Sequence, residues 1–270
     1  MKIFLLANQW PGWKVAEFLA GQEEDEIVGL CLHKPNRQKG VEKIIAATGL
    51  PPERIYTAPD LRDPEKLQEI QALGADICIA AFWYYILKPD FLALFPHGTI
   101  NFHPGYLPYN RGMNPDVWPF VDGSPAGVTL HYIDEEVDTG DIVAQRKVEL
   151  EPVDNDKSLY NKTLREIVDL FKDTWPIIRT GNVQPVKQDD SIATKHKEED
   201  RYIIEKLNLD APTTGRKFLD LLRGRTFRPY PSCYFEENGK KVYVRAELCY
   251  EEDAEWNGGK GKWDYTEDLE

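Results

Sequence analysis

The chain has no apolar run approaching the roughly 18 to 20 residues that a membrane-spanning helix needs, and its start, MKIFLLANQWPGW, carries no signal-peptide cleavage pattern. A cytoplasmic protein with no membrane partner is expected. Paired cysteines are also missing: Cys31, Cys78, Cys233 and Cys249 form no CxxC, and the first two fall in apolar runs that read as buried strands. Reduced core thiols are expected. None of His33, His97, His103, His131 and His196 lies at a ligand spacing from a cysteine, so no metal is expected. Basic charge is scarce. With 33 Lys and Arg against 46 Asp and Glu, the net charge of −13 repels phosphate backbones and makes nucleic acid a poor partner. The imbalance deepens after Ala246, where nine acidic residues face only Lys260 and Lys262. The first βα turn reads Asn8-Gln9-Trp10-Pro11-Gly12-Trp13, with neither GxGxxG nor GxxxxGK[ST], which leaves NAD and ATP without support.

What is present is an alternation of short apolar runs and helical spacing, in a chain whose 41% hydrophobic and 29% charged residues suit a globular domain. Residues 2–7, 27–32, 55–57, 76–81 and 99–102 read as strands, and 13–19, 41–48, 64–73 and 89–94 as helices. Such repeated βα units predict an α/β fold, a mostly parallel sheet with helices on both faces. Residues 127–133 and 142–149 alternate as strands around the loop DEEVDTGD. A long helical period over 157–178 ends near Thr180-Gly181 and closes a catalytic domain spanning 1–181. Residues 182–250 then read as a small C-terminal appendage, with a helix at 217–223 and a β-hairpin turning at Glu237-Asn238-Gly239. The remainder, 251–270, is an acidic tail whose Gly/Lys-rich stretch 257–262 is expected to be mobile.

Ligands of an open parallel sheet bind at the carboxyl ends of its strands. Asn101 and His103 end such a strand and, being two apart, project to one face. Pro104 cannot donate to the ladder, which leaves both groups at the rim. Asp138, from the loop between the two later strands, can reach the same rim. The Asn amide donates hydrogen bonds without ionising, which suits an oxyanion. His takes or gives a proton near neutral pH, and a carboxylate beside it orients the ring and favours its cation. That set can move a small acyl group onto an amine with no metal and no covalent nucleophile. Read singly, Asn101 and Asp138 are also ordinary turn formers. His131 reads as a packed strand histidine outside the set, and Phe82-Trp83-Tyr84-Tyr85 as core.

The run NFHPGYLPYNRG, residues 101–112, resembles the N-x-H-P-[SG]-x-L-P-x-x-[RP]-G signature of the folate-dependent formyltransferases. GVTLH at 127–131 followed by VDTGDI at 137–142 resembles that family's second motif. The resemblance covers residues 75–150; the first 75 agree in βα pattern only. It implies a Rossmann-like sheet of the formyltransferase type, 10-formyltetrahydrofolate as formyl donor, and Asn101, His103 and Asp138 as the catalytic triad. It also implies a donor site built largely from main chain at Trp83, Tyr85, Ile86 and Leu87, facing a loop that contains Asp134, Val137 and Asp141. Ile86 and Leu87 would form its apolar wall.

The family divides by acceptor. Enzymes acting on glycinamide ribonucleotide are typically shorter, the hydrolase branch usually carries an N-terminal regulatory domain, and the tRNA branch has a basic C-terminal domain where this chain is acidic. Residues 222–231, LRGRTFRPYP, resemble an R-x-x-x-P-x-P element shared by the tRNA and sugar branches. The expected substrate is therefore a nucleotide-linked amino sugar, such as a 4-amino-4,6-dideoxyhexose. The alternative is methionyl-tRNA; an alternative of another kind is a non-catalytic folate or nucleotide-sugar binding module. Asn8, Gln9 and Trp10 are candidate acceptor contacts, because the first helix N-terminus offers free amides to an anion. Arg111 and Asn114 follow the catalytic run, although Met113-Asn114 departs from the small residue many relatives have there. Trp10, Trp13, Phe227 and Tyr230 could stack on a base or sugar, and Lys14 or Arg225 could meet a pyrophosphate. Related sugar enzymes are often dimeric through C-terminal β structure, which leaves a homodimer open.

Overall fold

The computed structural model describes residues 1–253; the expectation for 257–262 lies outside the described residues. Strand β1 (Lys2–Ala7) leads into α1 (Gln9–Ala20), followed by β2 (Glu26–Leu32), α2 (Val41–Thr48), β3 (Ile55–Thr57), α3 (Pro64–Ala72), β4 (Ile77–Ala81), α4 (Pro89–Leu92) and β5 (Thr99–His103). These strands pair in parallel. After β6 (Arg111–Gly112) and α5 (Trp118–Asp122), β7 (Gly127–Tyr132) and β8 (Ile142–Lys147) add antiparallel beyond β5. The seven-stranded order is β3-β2-β1-β4-β5-β7-β8, a mostly parallel sheet of the expected Rossmann-like kind.

The period of two along β1 explains why the run is apolar without a break. Ile3, Leu5 and Ala7 enter one core with Val15 and Leu19 of α1, Ile44 of α2, and Phe171 and Trp175 of the long α6 (Asp156–Arg179). Phe4 and Leu6 enter a second core on the opposite face with Ile70, Phe91 and Phe95. Each such side chain, fully buried, contributes about 1.5 to 3 kcal/mol. Asn155 caps α6 through a reciprocal pair with Ser158. Because the strand order reverses between β1 and β4, the crevice lies where β1 ends at Ala7, β4 at Ala81 and β5 at His103.

Past α6 the chain does not leave at once. The segment 182–196, grouped by sequence with the appendage, returns along the catalytic unit. Ile142 donates to the Val186 carbonyl at 2.8 Å, and β9 (Lys195–His196) pairs in parallel with β6. The appendage proper holds α7 (Glu198–Glu205), α8 (Gly215–Gly224) and a hairpin of β10 (Tyr234–Glu237) and β11 (Lys240–Tyr243), around a small core of Leu207, Leu222 and Cys233. Its turn has positive φ at Asn238 and Gly239, as the Asn-Gly pair requires. Helices α5 and α7 and the β6–β9 pair carry no clear period in sequence, since α7 has no buried residue and the others are too short. Among the described residues no helix is long and apolar enough to cross a membrane.

Candidate active site

Strand register brings the site together. Asn101 on β5 stands opposite His131 on β7, and His103 opposite Thr129. Ile100 and Phe102 point into the α6 core, so Asn101 and His103 face the other side, where the 133–141 loop folds over them. Asp138 Oδ2 lies 3.4 Å from His103 Nδ1, and Oδ1 lies 3.4 Å from His131 Nε2. Asn101 Nδ2 is 3.1 Å from His131 Nε2 and 3.5 Å from Asp138 Oδ1. His131 Nδ1 lies 2.8 Å from the Tyr132 carbonyl, so its Nε2 stands between the Asn101 amide and the Asp138 carboxylate. Of the two Asn101 contacts, the one to Asp138 Oδ1 is the longer and weaker.

His103 is 3% exposed. Both ring nitrogens face acceptors, Nδ1 the Asp138 carboxylate and Nε2 the Asn110 carbonyl at 3.1 Å. Burial lowers its proton affinity below the ordinary histidine value, while the Asp138 charge and the Asn110 carbonyl oppose that shift. The result is a neutral imidazole whose surroundings are arranged to receive its cation. Asp138 is raised by burial, but its neighbours His103 and His131 and the Gly112 N–H outweigh this and hold it well below the usual carboxylate range.

Two residues outside the sequence-derived set fix Asp138. The Gly112 N–H donates to its Oδ2 at 2.9 Å. Gly112 has φ of +91°, and a Cβ there would run into the His196 carbonyl, so only glycine fits the position. Gln188 Nε2 donates to the Asp138 and Gly140 carbonyls at 2.9 and 2.7 Å, which supports Asp138 at its own φ of +56°. The Gln188 side-chain oxygen accepts from Arg111 Nε and Nη2 at 3.0 and 2.8 Å, and Nη2 also reaches Asp190. Arg111, expected on the sugar side, is thus a buried clamp on the catalytic loop.

Several other expected contacts are placed differently. Asn8 is buried, with its amide on His33 Nδ1 and the Arg37 carbonyl and its oxygen accepting from the Lys39 N–H, so it ties the β1 and β2 ends together. Arg225 is buried and paired with Glu205 and Asp156, and carboxylates of the chain occupy the guanidinium that was expected to meet a pyrophosphate. Asn114 donates to Glu198 at 3.3 Å. Gln9 remains in the crevice between Tyr84 and Tyr160, donating to one hydroxyl at 2.6 Å and accepting from the other at 3.0 Å. Trp10 and Tyr230 are exposed, and Tyr160, Phe227 and Tyr230 follow one another with ring centroids 5.5 Å apart. Trp83, Tyr85, Ile86 and Leu87 line a cavity of about 250 Å³ together with Lys34, Arg62 and Lys88. Trp83 Nε1 and the Tyr85 hydroxyl are buried with no hydrogen-bond partner among the described residues. Leu87 is 8% exposed but Ile86 66%, so half of the expected apolar wall stands open to solvent. In the 133–141 loop, none of which lines this cavity, Asp134 accepts from Thr139 at 2.7 Å, while Val137 and Asp141 are exposed.

The formyl transferase family profile matches residues 18–173, and a profile described as the N-formyltransferase dimerization C-terminal domain matches residues 200–249. The methionyl-tRNA formyltransferase of Listeria monocytogenes is 32% identical over 204 residues, 74% of this chain but only 63% of that protein. Less than two thirds of that relative is therefore spanned. A 4-N formyltransferase from Francisella tularensis is 25% identical and superposes with a TM-score of 0.78 over 92% of this chain and 98% of its own. The formyltransferase PseJ from Anoxybacillus kamchatkensis, solved in complex with UDP-4,6-dideoxy-4-formamido-L-AltNAc and tetrahydrofolate, is 29% identical, with a TM-score of 0.53 over 75% of this chain and 89% of its own.

Proposed function

Because the chain belongs to the formyl transferase family, we propose that it is an N-formyltransferase carrying a formyl group from 10-formyltetrahydrofolate to the amine of a nucleotide-linked amino sugar. The observation that carries the chemistry is the closed hydrogen-bonded set of Asn101, His131, Asp138 and His103 at the β5 rim. A substrate oxygen that displaces the long Asn101–Asp138 contact receives that amide hydrogen, which stabilises the oxyanion formed when the amine attacks the formyl carbon. His103, neutral in the resting site, accepts a proton from the attacking nitrogen and passes it to the leaving nitrogen of the folate. Asp138 holds the ring and stabilises its cation in between.

The donor fits the residues present. A pteridine with a carboxylate-bearing tail needs an apolar slot and a basic outlet. The cavity lined by Trp83, Tyr85, Ile86 and Leu87 offers the slot, and Lys34, Arg62 and Lys88 offer the outlet. The sugar reading is supported by the likeness to PseJ, solved with UDP-4,6-dideoxy-4-formamido-L-AltNAc, by the net charge of −13, and by the aromatic row at Tyr84, Tyr160, Phe227 and Tyr230 facing Gln9. Identity of 32% to a methionyl-tRNA enzyme favours the second reading, tRNA. The appendage, in this proposal, joins two copies: an isolated two-stranded hairpin is marginal on its own, and Ile203, Leu209, Val242 and Tyr243 are exposed around it. Incubation with 10-formyltetrahydrofolate and a panel of UDP- and dTDP-linked amino sugars, read by mass spectrometry, tests the acceptor. A sugar formamide is expected. Transfer to methionyl-tRNA with none to any sugar overturns it.

A further inference from the structure

The segment 182–196 reaches the catalytic ring by a second route, through a single peptide unit. Thr194 stands beside the turn that follows His103. Its N–H donates to the Pro108 carbonyl at 3.2 Å, and its own carbonyl accepts from the Arg111 N–H at 3.0 Å. Its hydroxyl accepts from the Asn110 N–H at 2.8 Å and donates to Asn110 Oδ1 at 3.2 Å. Asn110 Nδ2 donates to Ser124 Oγ at 2.8 Å, so this residue, fully buried and at a φ of +60°, is held from both sides. The N–H and C=O of a trans peptide point in opposite directions. With the Arg111 N–H tied to Thr194, the Asn110 carbonyl of the same peptide is turned toward His103 Nε2, 3.1 Å away.

We propose that Asn110 and Thr194 are positioning residues that receive the protonated His103 ring from its Nε2 end, as Asp138 receives it from Nδ1. The inference rests on His103 taking a proton from the attacking amine, as proposed above. A carbonyl oxygen can only accept, so its contact with Nε2 is a hydrogen bond only when that nitrogen carries hydrogen. A neutral imidazole has one N–H, and one of the two acceptors must then face a bare nitrogen. The cation has an N–H at each end and satisfies both, through the stronger charge-assisted kind of bond. Whichever nitrogen the proton enters by, the arrangement favours the charged ring that exists during turnover, while burial keeps the ring neutral at rest. Three other groups act on that charge. The Asp138 carboxylate favours it, His131, with its ring centroid 6.3 Å away, opposes it, and the Asp116 charge adds a smaller favourable pull.

Thr194→Val keeps the shape and removes the hydroxyl, which leaves the Asn110 N–H and Oδ1 without their partner and the peptide plane able to turn. NMR titration of the substrate-free chain reads the His103 midpoint, and kcat against pH reads its use. Thr194→Val is expected to lower the midpoint by about half a unit to one unit, since the cation loses an acceptor, and to cut turnover about tenfold near neutral pH with both KM values unchanged. The ring must be neutral to accept a proton, so the acid limb of kcat moves to lower pH with the midpoint. Thr194→Ser, which keeps the hydroxyl, should restore the wild-type midpoint and turnover. A midpoint that stays or rises in Thr194→Val marks a packing effect and overturns the inference, as does a midpoint that falls while turnover holds. Should Thr194→Val fail to fold, Asn110→Gly is read in the same way, since glycine keeps the left-handed backbone and removes the side-chain bonds to Ser124 and Thr194. The wild-type chain also decides by itself: below the midpoint the ring Nε2–H should exchange slowly with water as a hydrogen-bonded proton, and fast exchange overturns the inference. If the wild-type chain formylates none of the sugars, the acceptor reading falls, while the substrate-free titration still judges Asn110 and Thr194.

Discussion

Two polar clusters of the chain, one around Asp138 and one around Asp156, are satisfied in opposite ways. On the Asp138 side, the carboxylate is held by His103, His131 and the Gly112 N–H, and its main chain by Gln188, which is itself held by Arg111. On the Asp156 side, Asp156 Oδ1, Arg225 Nε and Arg201 Nε are buried with no hydrogen-bond partner among the described residues. Unmade hydrogen bonds of this kind cost about 1 to 3 kcal/mol each. Groups that stabilise a transition state gain from being immobile before the substrate arrives, and the Asp138 cluster has that build.

Breaking the satisfied cluster should have the largest effect. His103→Asn and Asp138→Asn are each expected to lower turnover by more than about a hundredfold with little change in donor KM, measured by steady-state kinetics. Near-normal turnover in either variant removes the mechanism. A smaller loss, about tenfold in turnover with about 1 to 3 kcal/mol of stability, is expected for Gln188→Leu. That variant keeps all three catalytic residue types but unlatches the 138–140 main chain and leaves Arg111 with Asp190 alone. If Gln188→Leu matches the wild-type chain in both readouts, the clamp is incidental.

The strands were legible because both faces of the sheet are covered, so burial shows as apolar runs bounded by Pro and Gly. Asn101 and His103 were legible as strand-end residues two apart. His131 was not, because a histidine in GVTLHYI fits a packed strand equally well; only the register with Asn101 reveals that its ring meets the site. Gln188 could not be read at all, since it lies 50 residues from Asp138 in a segment without periodicity. Arg225 illustrates a different limit. Its sequence context calls for an anion, and nothing in the order of residues distinguishes a ligand phosphate from Asp156 and Glu205.

Histidines away from the chemistry sharpen the comparison through pH. Burial lowers His33 from its ordinary value of 6.5 to about 4, with Asn8 bonded to its ring. The unfolded chain then binds the proton more readily than the folded one, so stability is full above pH 6.5 and declines as pH falls toward 4. The decline should amount to about 2 to 3 kcal/mol, visible as a falling Tm, and should flatten in His33→Gln. The acid limb of turnover should also lie below the ordinary histidine value, because the buried His103 stays neutral to lower pH.

The smallest effect expected is at the donor cavity, where neighbouring residues divide the two roles. Leu87 is buried with Phe91 and Trp83, so Leu87→Ala should cost about 2 to 5 kcal/mol of stability through the void it leaves. Ile86 is two-thirds exposed and supports nothing beneath it. Its truncation to Ala should leave Tm unchanged and raise the donor KM severalfold, the worth of about 1 kcal/mol of apolar contact made only when folate covers the side chain. Unchanged KM with unchanged Tm would place the donor elsewhere in the crevice, and would leave Lys34, Arg62 and Lys88 as a basic rim in need of another anion.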